Sequence, residues 1–90
     1  MAKANVDPAE LRRFAQDLKR FNADLEGLLS GLHSKMVALE ANWRDQEQRK
    51  FAEGFAQTVK VLGQFIENSN QHASFLAKKA GIIEEYLKQR

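Results

Sequence analysis

Leu39-Glu40-Ala41-Asn42-Trp43-Arg44-Asp45-Gln46-Glu47-Gln48 interrupts an otherwise regular pattern near the middle of a 90-residue chain. On both sides apolar residues recur every three or four positions, the period of one helix face. Within Ala41–Asp45 that rhythm pauses. Asp45, with Gln48 three residues on, supplies a helix-start signal, because an aspartate oxygen there accepts from free backbone N–H groups of the first turn. A break this short leaves the flanking helices as antiparallel neighbours. The expected fold is therefore all-α, a two-helix hairpin in one domain spanning 1–90, with helix 1 over about 8–40, a turn at 41–45 and helix 2 over about 46–88.

Reading toward the N-terminus, the apolar positions are Leu39, Met36, Leu32, Leu28, Leu25, Phe21, Leu18, Phe14 and Leu11. Their steps alternate between three and four, with one extra residue near Met36, which describes a coiled-coil seam. No strand-like alternation competes with it. Asp7, Pro8 and Glu10 form a capping box, with proline at the first helical position, where its missing N–H costs nothing. Val6 and Leu11 are placed to make a hydrophobic staple across that cap.

Reading toward the C-terminus, the rhythm resumes at Phe51, Phe55, Val59 and Leu62, passes through Phe65 or Ile66, and continues at Ala73, Leu76, Ala80, Ile83 and Leu87. At about 1.5 Å per residue, helix 1 is roughly 50 Å long and helix 2 roughly 64 Å. Folded back from the turn, helix 1 ends opposite about Lys79, and the last ten or so residues, with Ile82, Ile83, Tyr86 and Leu87, overhang. A wheel gives a second argument. Phe51, Leu62, Leu76 and Leu87 share the main stripe of helix 2, whereas Phe75, Ile82 and Tyr86 lie about 120° away. A helix apolar on two faces has two neighbours. Phe75, Ile82, Ile83, Tyr86 and Leu87 are thus the expected interface, and two hairpins are expected to pair into an elongated four-helix bundle, the overhang of each lying against the turn of the other.

Little in the chain suggests chemistry. There is no cysteine, so neither a disulfide framework nor a thiolate is available. Fourteen Lys and Arg against twelve Asp and Glu leave a charge of only +2. They are interleaved rather than clustered, which argues against nucleic acid, whose phosphates call for a basic patch. His33 and His72 sit at different distances from the turn, roughly 25 Å apart, too far for one metal site. A hairpin offers no concavity to perturb a carboxylate such as Glu84 or Glu85. No cofactor, metal or catalytic residue is expected, and the chain is read as a non-enzyme. The N-terminal MAKANVDPAEL has no basic stretch followed by an apolar core, and no run approaches the roughly 20 apolar residues of a membrane span. Two features stay open. Ala23, Gly27, Gly31, Ser34 and Ala38 form a small-residue stripe on helix 1, either a groove for a partner helix or a solvated face. Ser69 falls on the main stripe of helix 2, either as a register-setting polar contact or as a loosely packed, wet segment.

Trp43-Arg44-Asp45 between two long helices, with Phe51 eight residues after the tryptophan, resembles the WXG-motif family of small helical-hairpin proteins, known chiefly as substrates of type VII secretion systems. The resemblance covers nearly the whole chain. Its turn-motif residues are Trp43, Asp45 and Phe51, with Asp45 where the pattern has glycine. It implies a non-enzymatic dimer, a homodimer or a heterodimer with a paralogue, acting as a secreted effector or adaptor or as a partner of a type VII-like system. The alternative is a structural or regulatory coiled-coil protein that is not exported. The family's export signal is a tyrosine followed four residues on by an acid, whereas Arg90 stands at that spacing from Tyr86. The resemblance therefore leaves export without a leader and a cytoplasmic location both open.

Overall fold

The computed structural model describes residues 6–89 and contains two helices, α1 (Pro8–Glu40) and α2 (Gln46–Lys88). Arg90 lies outside the described residues, as do Met1–Asn5. Both helices begin on an extended aspartate. Asp7 Oδ1 accepts from the Ala9 N–H at 2.9 Å, and the Asp7 carbonyl takes the first helical bond, from the Leu11 N–H, at 3.0 Å. The side-chain bond thus goes to the second helical residue and not to Glu10, the third. Asp45 Oδ1 accepts from the Gln48 N–H at 2.9 Å.

The turn forms without any left-handed residue. Ala41, at the end of α1, remains right-handed, and the Asn42 and Trp43 N–H groups both donate to the Leu39 carbonyl at 3.0 Å. No described residue has a positive φ. A glycine's extra backbone freedom is therefore not needed at Asp45, whose φ of −90° suits any residue. The buried Gln48 side chain donates from Nε2 back across the turn to Glu40 Oε2 at 3.3 Å and ties the two helices together at the tip.

The molecule measures 68 × 24 × 14 Å. It is two helices wide and one helix thick, and a single layer has no inside. Among the described residues the buried apolar side chains are Ala15, Met36, Ile66, Ala73 and Ala80. Buried alanines permit close approach of the helices but hide little surface. Halfway along, the seam turns polar. Asn22 is 1% exposed and donates from Nδ2 to Asn70 Oδ1 at 2.9 Å, while its own Oδ1 is buried with no partner. Ser69 is buried beside this layer.

Two expectations need correction. The seam of α1 is not the nine-residue row read from the sequence. Phe14, Phe21, Leu28, Leu32 and Leu39 are exposed, and the residues turned toward α2 include Ala15, Asn22 and Leu29. The large side chains form two columns side by side, and one partner helix covers only one of them. On α2, likewise, Ile66 is buried and Phe65 exposed, and Phe51 is half exposed. The overhang is also shorter than expected. The Arg12 guanidinium reaches Glu84 Oε1 at 2.7 Å and lies over Gly81, so the start of α1 engages α2 beyond Lys79, and Ile83 is half-buried. Ile82, Tyr86 and Leu87 remain exposed.

Candidate functional site

Seven-residue spacing sorts the side chains into columns. On α1, Leu11, Leu18 and Leu25 are half-buried next to the fully buried Ala15 and Asn22, while Phe14, Phe21 and Leu28 form a third column turned away from α2. A strict seven-residue repeat keeps each column on one side of a supercoiled pair. On α2, the seam columns contain Phe55, Leu62, Ser69, Leu76 and Ile83 beside Val59, Ile66, Ala73 and Ala80. A further column, three residues along, holds Phe51, Phe65, His72 and Tyr86, all exposed.

The outward columns of the two helices face the same way. Phe14 and Leu18 of α1 line one groove of about 610 Å³ together with Phe65, His72 and Phe75 of α2, and Asn68 and Ser69 form its polar floor. Nearer the tip, Leu32, Met36 and Leu39 meet Phe51 and Phe55 around a smaller depression of about 160 Å³, with Lys35 at its edge. The expectation that a hairpin has no concavity is therefore corrected, although these grooves are open and apolar. The polar side chains of the larger groove are Asn68, Ser69 and His72, all from α2.

At the tip, Trp43 and Phe51 are 5.8 Å apart between ring centroids, tilted by 37°, and Phe51 stacks on Phe55 at 6.0 Å and 19°. Separations of this size in offset or tilted geometry are favourable beyond simple burial. Trp43 is half-buried and caps the end of the seam, and Asp45 fixes the start of α2 that carries Phe51 into reach. The turn motif is thus one connected cluster. Of the expected interface residues, Phe75, Ile82 and Tyr86 stand on the open face, Leu87 ends the seam column where α1 has run out, and Ile83 belongs to the seam itself.

Sequence reasoning placed Phe14, Phe21 and Leu28 inside the hairpin and so missed half of the open face. The signal was present, since Ala15, Asn22, Leu29 and Met36 repeat at seven beside the leucines, and three parallel columns are more than one neighbouring helix covers. The small-residue stripe at Ala23, Gly27, Gly31, Ser34 and Ala38 is exposed, and a methyl added at Gly27 or Gly31 would touch nothing within 4 Å. No group of three or more His, Cys, Asp or Glu among the described residues is arranged to hold a metal, and no described helix is long and apolar enough to cross a membrane.

A family model described as proteins of 100 residues with WXG matches residues 3–86. The chain belongs to the WXG100 family. In this WXG100 chain the signature reads Trp43-Arg44-Asp45, the aspartate serving as the cap of α2. Among solved structures, it is similar to a point mutant of the secreted protein EsxB of Bacillus anthracis str. Sterne, at 25% identity, covering 93% of this chain and 97% of that one with a TM-score of 0.80. The selenomethionine-labelled form of the same protein aligns over 96% of this chain and 98% of that one, at 24% identity and a TM-score of 0.81. A comparison with curated proteins gives no match.

Proposed function

We propose that this WXG100 chain is a non-enzymatic interaction protein that works as a dimer of hairpins, in the manner of an effector or adaptor of a type VII-like secretion system. The observation that carries this reading is the open face, a row of large apolar side chains on both helices of a molecule one helix thick. Fully burying such a side chain is worth about 1.5–3 kcal/mol, and with each about half exposed roughly half of that is forfeited in the lone hairpin. Contiguous apolar surface of this extent marks an interaction site. Phe75, Ile82 and Tyr86, joined by Leu87 at the free end, are its contact residues on α2, and Trp43, Asp45 and Phe51 hold the tip that the overhang of a partner would meet. An association of the chain with itself or with a paralogue of the same shape satisfies the face equally. Export is supported by the likeness to a secreted relative.

The expected outcome is a particle of twice the chain mass by light scattering at micromolar concentration, together with the protein in the culture supernatant of its host. A stable helical monomer overturns the dimer. A second reading, an interaction protein that is not exported, is favoured by one residue, Arg90, at the spacing from Tyr86 where the export signal has an acid. Recovery from the cell lysate alone, with an empty supernatant, decides for it.

A further inference from the structure

We propose that Pro8–Asn22 of α1 is a strap that opens from α2 as one unit, with its boundary at the Asn22–Asn70 layer, while the tip half of the hairpin stays closed. The inference concerns the seam within one chain and does not rest on the dimer reading. The polar layer divides that seam into halves of different make-up. On the tip side the buried apolar residues are Met36 and Ile66, backed by the half-buried Leu25, Leu29, Val59 and Leu62. On the free side, among the described residues, they are Ala15, Ala73 and Ala80, backed by half-buried Leu18, Leu76 and Ile83. An alanine methyl hides only a fraction of the apolar area of methionine or isoleucine, so the free half holds its two helices together more weakly.

Connectivity adds to the difference. The turn keeps the helices together at the tip, where the rings of Trp43, Phe51 and Phe55 and the Gln48–Glu40 hydrogen bond also lie. The free half has no such tether. Its one interhelix hydrogen bond among the described residues is the Arg12–Glu84 ion pair at 2.7 Å, whose side chains are 41% and 43% exposed. An ion pair so open to water is a weak latch.

The layer itself sets where the opening stops. Closed, the Asn22 Oδ1 is buried without a partner, and a buried acceptor with no hydrogen bond carries the full cost of its lost water. Opening through Asn22 returns water to that oxygen. Opening any further gains nothing of the kind and has to expose Leu25, Leu29 and Ile66. Isolated helices of about 12–15 residues are marginal in water, so the released strap loses its helix and its backbone N–H groups exchange with solvent. The same step uncovers Leu76, Ala80 and Ile83 of α2 beside the already exposed Phe75, Ile82 and Tyr86. That end of α2 then presents apolar side chains on most of its circumference, and the strap controls access to it.

Native-state amide hydrogen exchange of the full chain, read residue by residue by NMR, tests this. Amides from Arg12 to Asn22 are expected to share one degree of protection, about tenfold or more below that of Leu25–Leu39, with the step just after Asn22. Protection that climbs gradually from Arg12 is ordinary fraying of a helix end and overturns the proposal, as does equal protection on both sides of Asn22. Two variants separate the halves. Asn22→Leu removes the orphaned oxygen and is expected to slow exchange about fivefold to tenfold throughout Arg12–Phe21. Fraying would leave the amides near Arg12 unchanged. Leu29→Ala is expected to speed exchange across Leu25–Leu39 and to leave Arg12–Phe21 within about twofold of the parent chain. Equal acceleration of both halves means that the hairpin opens only as a whole, and the strap is then overturned. The dimer reading is judged separately by light scattering. A monomer with the step at Asn22 removes the dimer and keeps the strap, and a dimer without the step does the reverse.

Discussion

Asp45 shows how one side chain replaces a backbone property. Where the family signature has glycine, the structure uses an extended backbone with no positive φ and a carboxylate that accepts from the Gln48 N–H. Asp45→Ala is therefore expected to cost about 1 kcal/mol, the usual worth of an N-cap, and Asp45→Gly only a few tenths, because glycine lets water reach the same N–H groups. At about 4–8 °C per kcal/mol for a chain of this size, thermal melts separate the two variants. Equal losses would mean that the carboxylate does more than cap. Asn22 makes the opposite case. Its Oδ1 is buried without a partner, and such a group costs about 1–3 kcal/mol. Asn22→Leu gives up one hydrogen bond to Asn70, whose exposed amide returns to water, and removes the orphaned oxygen. It is expected to raise stability by about 1 kcal/mol in urea unfolding. An unchanged or lower midpoint would mean that the oxygen has a partner after all.

Within each helix, surface and seam follow different rules. Gly27 and Gly31 lie in the exposed interior of α1 with open space around them. A methyl there meets nothing, so Gly27→Ala and Gly31→Ala are each expected to stabilise the helix by up to about 1 kcal/mol. If the small-residue stripe is solvated, the pair raises the melting temperature and leaves the mass in solution unchanged. A groove that receives a partner helix would instead lose that partner on gaining two methyl groups. The elements themselves were legible because periodicity and capping are local. Asp7 and Asp45 begin helices for reasons contained within four residues, and the break at Ala41–Asp45 has no apolar beat. What was not legible is which of two adjacent columns a neighbouring helix covers. Phe14 and Leu18 carry the same period, and only the placement of α2 buries one side and exposes the other. The reach of Arg12 to Glu84 was hidden for a similar reason. Residue counting gives the lengths of two rods but not how far a long side chain extends along the second one. With both side chains more than a third exposed, that ion pair adds little to stability, below about 1 kcal/mol.

A single layer of two helices whose buried apolar residues are mostly alanine has little to set against the entropy of ordering the chain. In the proposed dimer the missing burial comes from the open face, so the stability of the fold and that of the association become one quantity. Two consequences can be measured together. The melting temperature should rise with protein concentration, because mass action favours the folded dimer. Phe65→Asp, at a position exposed in the lone hairpin, should leave the interhelix seam untouched and yet lower the melting temperature sharply. It places a charge on the face that the proposed dimer buries, and an unpaired charge taken out of water is strongly penalised. In a hairpin stable by itself, the same substitution on an exposed site would shift stability by no more than about 0.5 kcal/mol. A melting temperature independent of concentration over two decades, with Phe65→Asp as stable as the parent chain, would show that two helices are enough, and the open face would then have to exist for some partner other than a second hairpin.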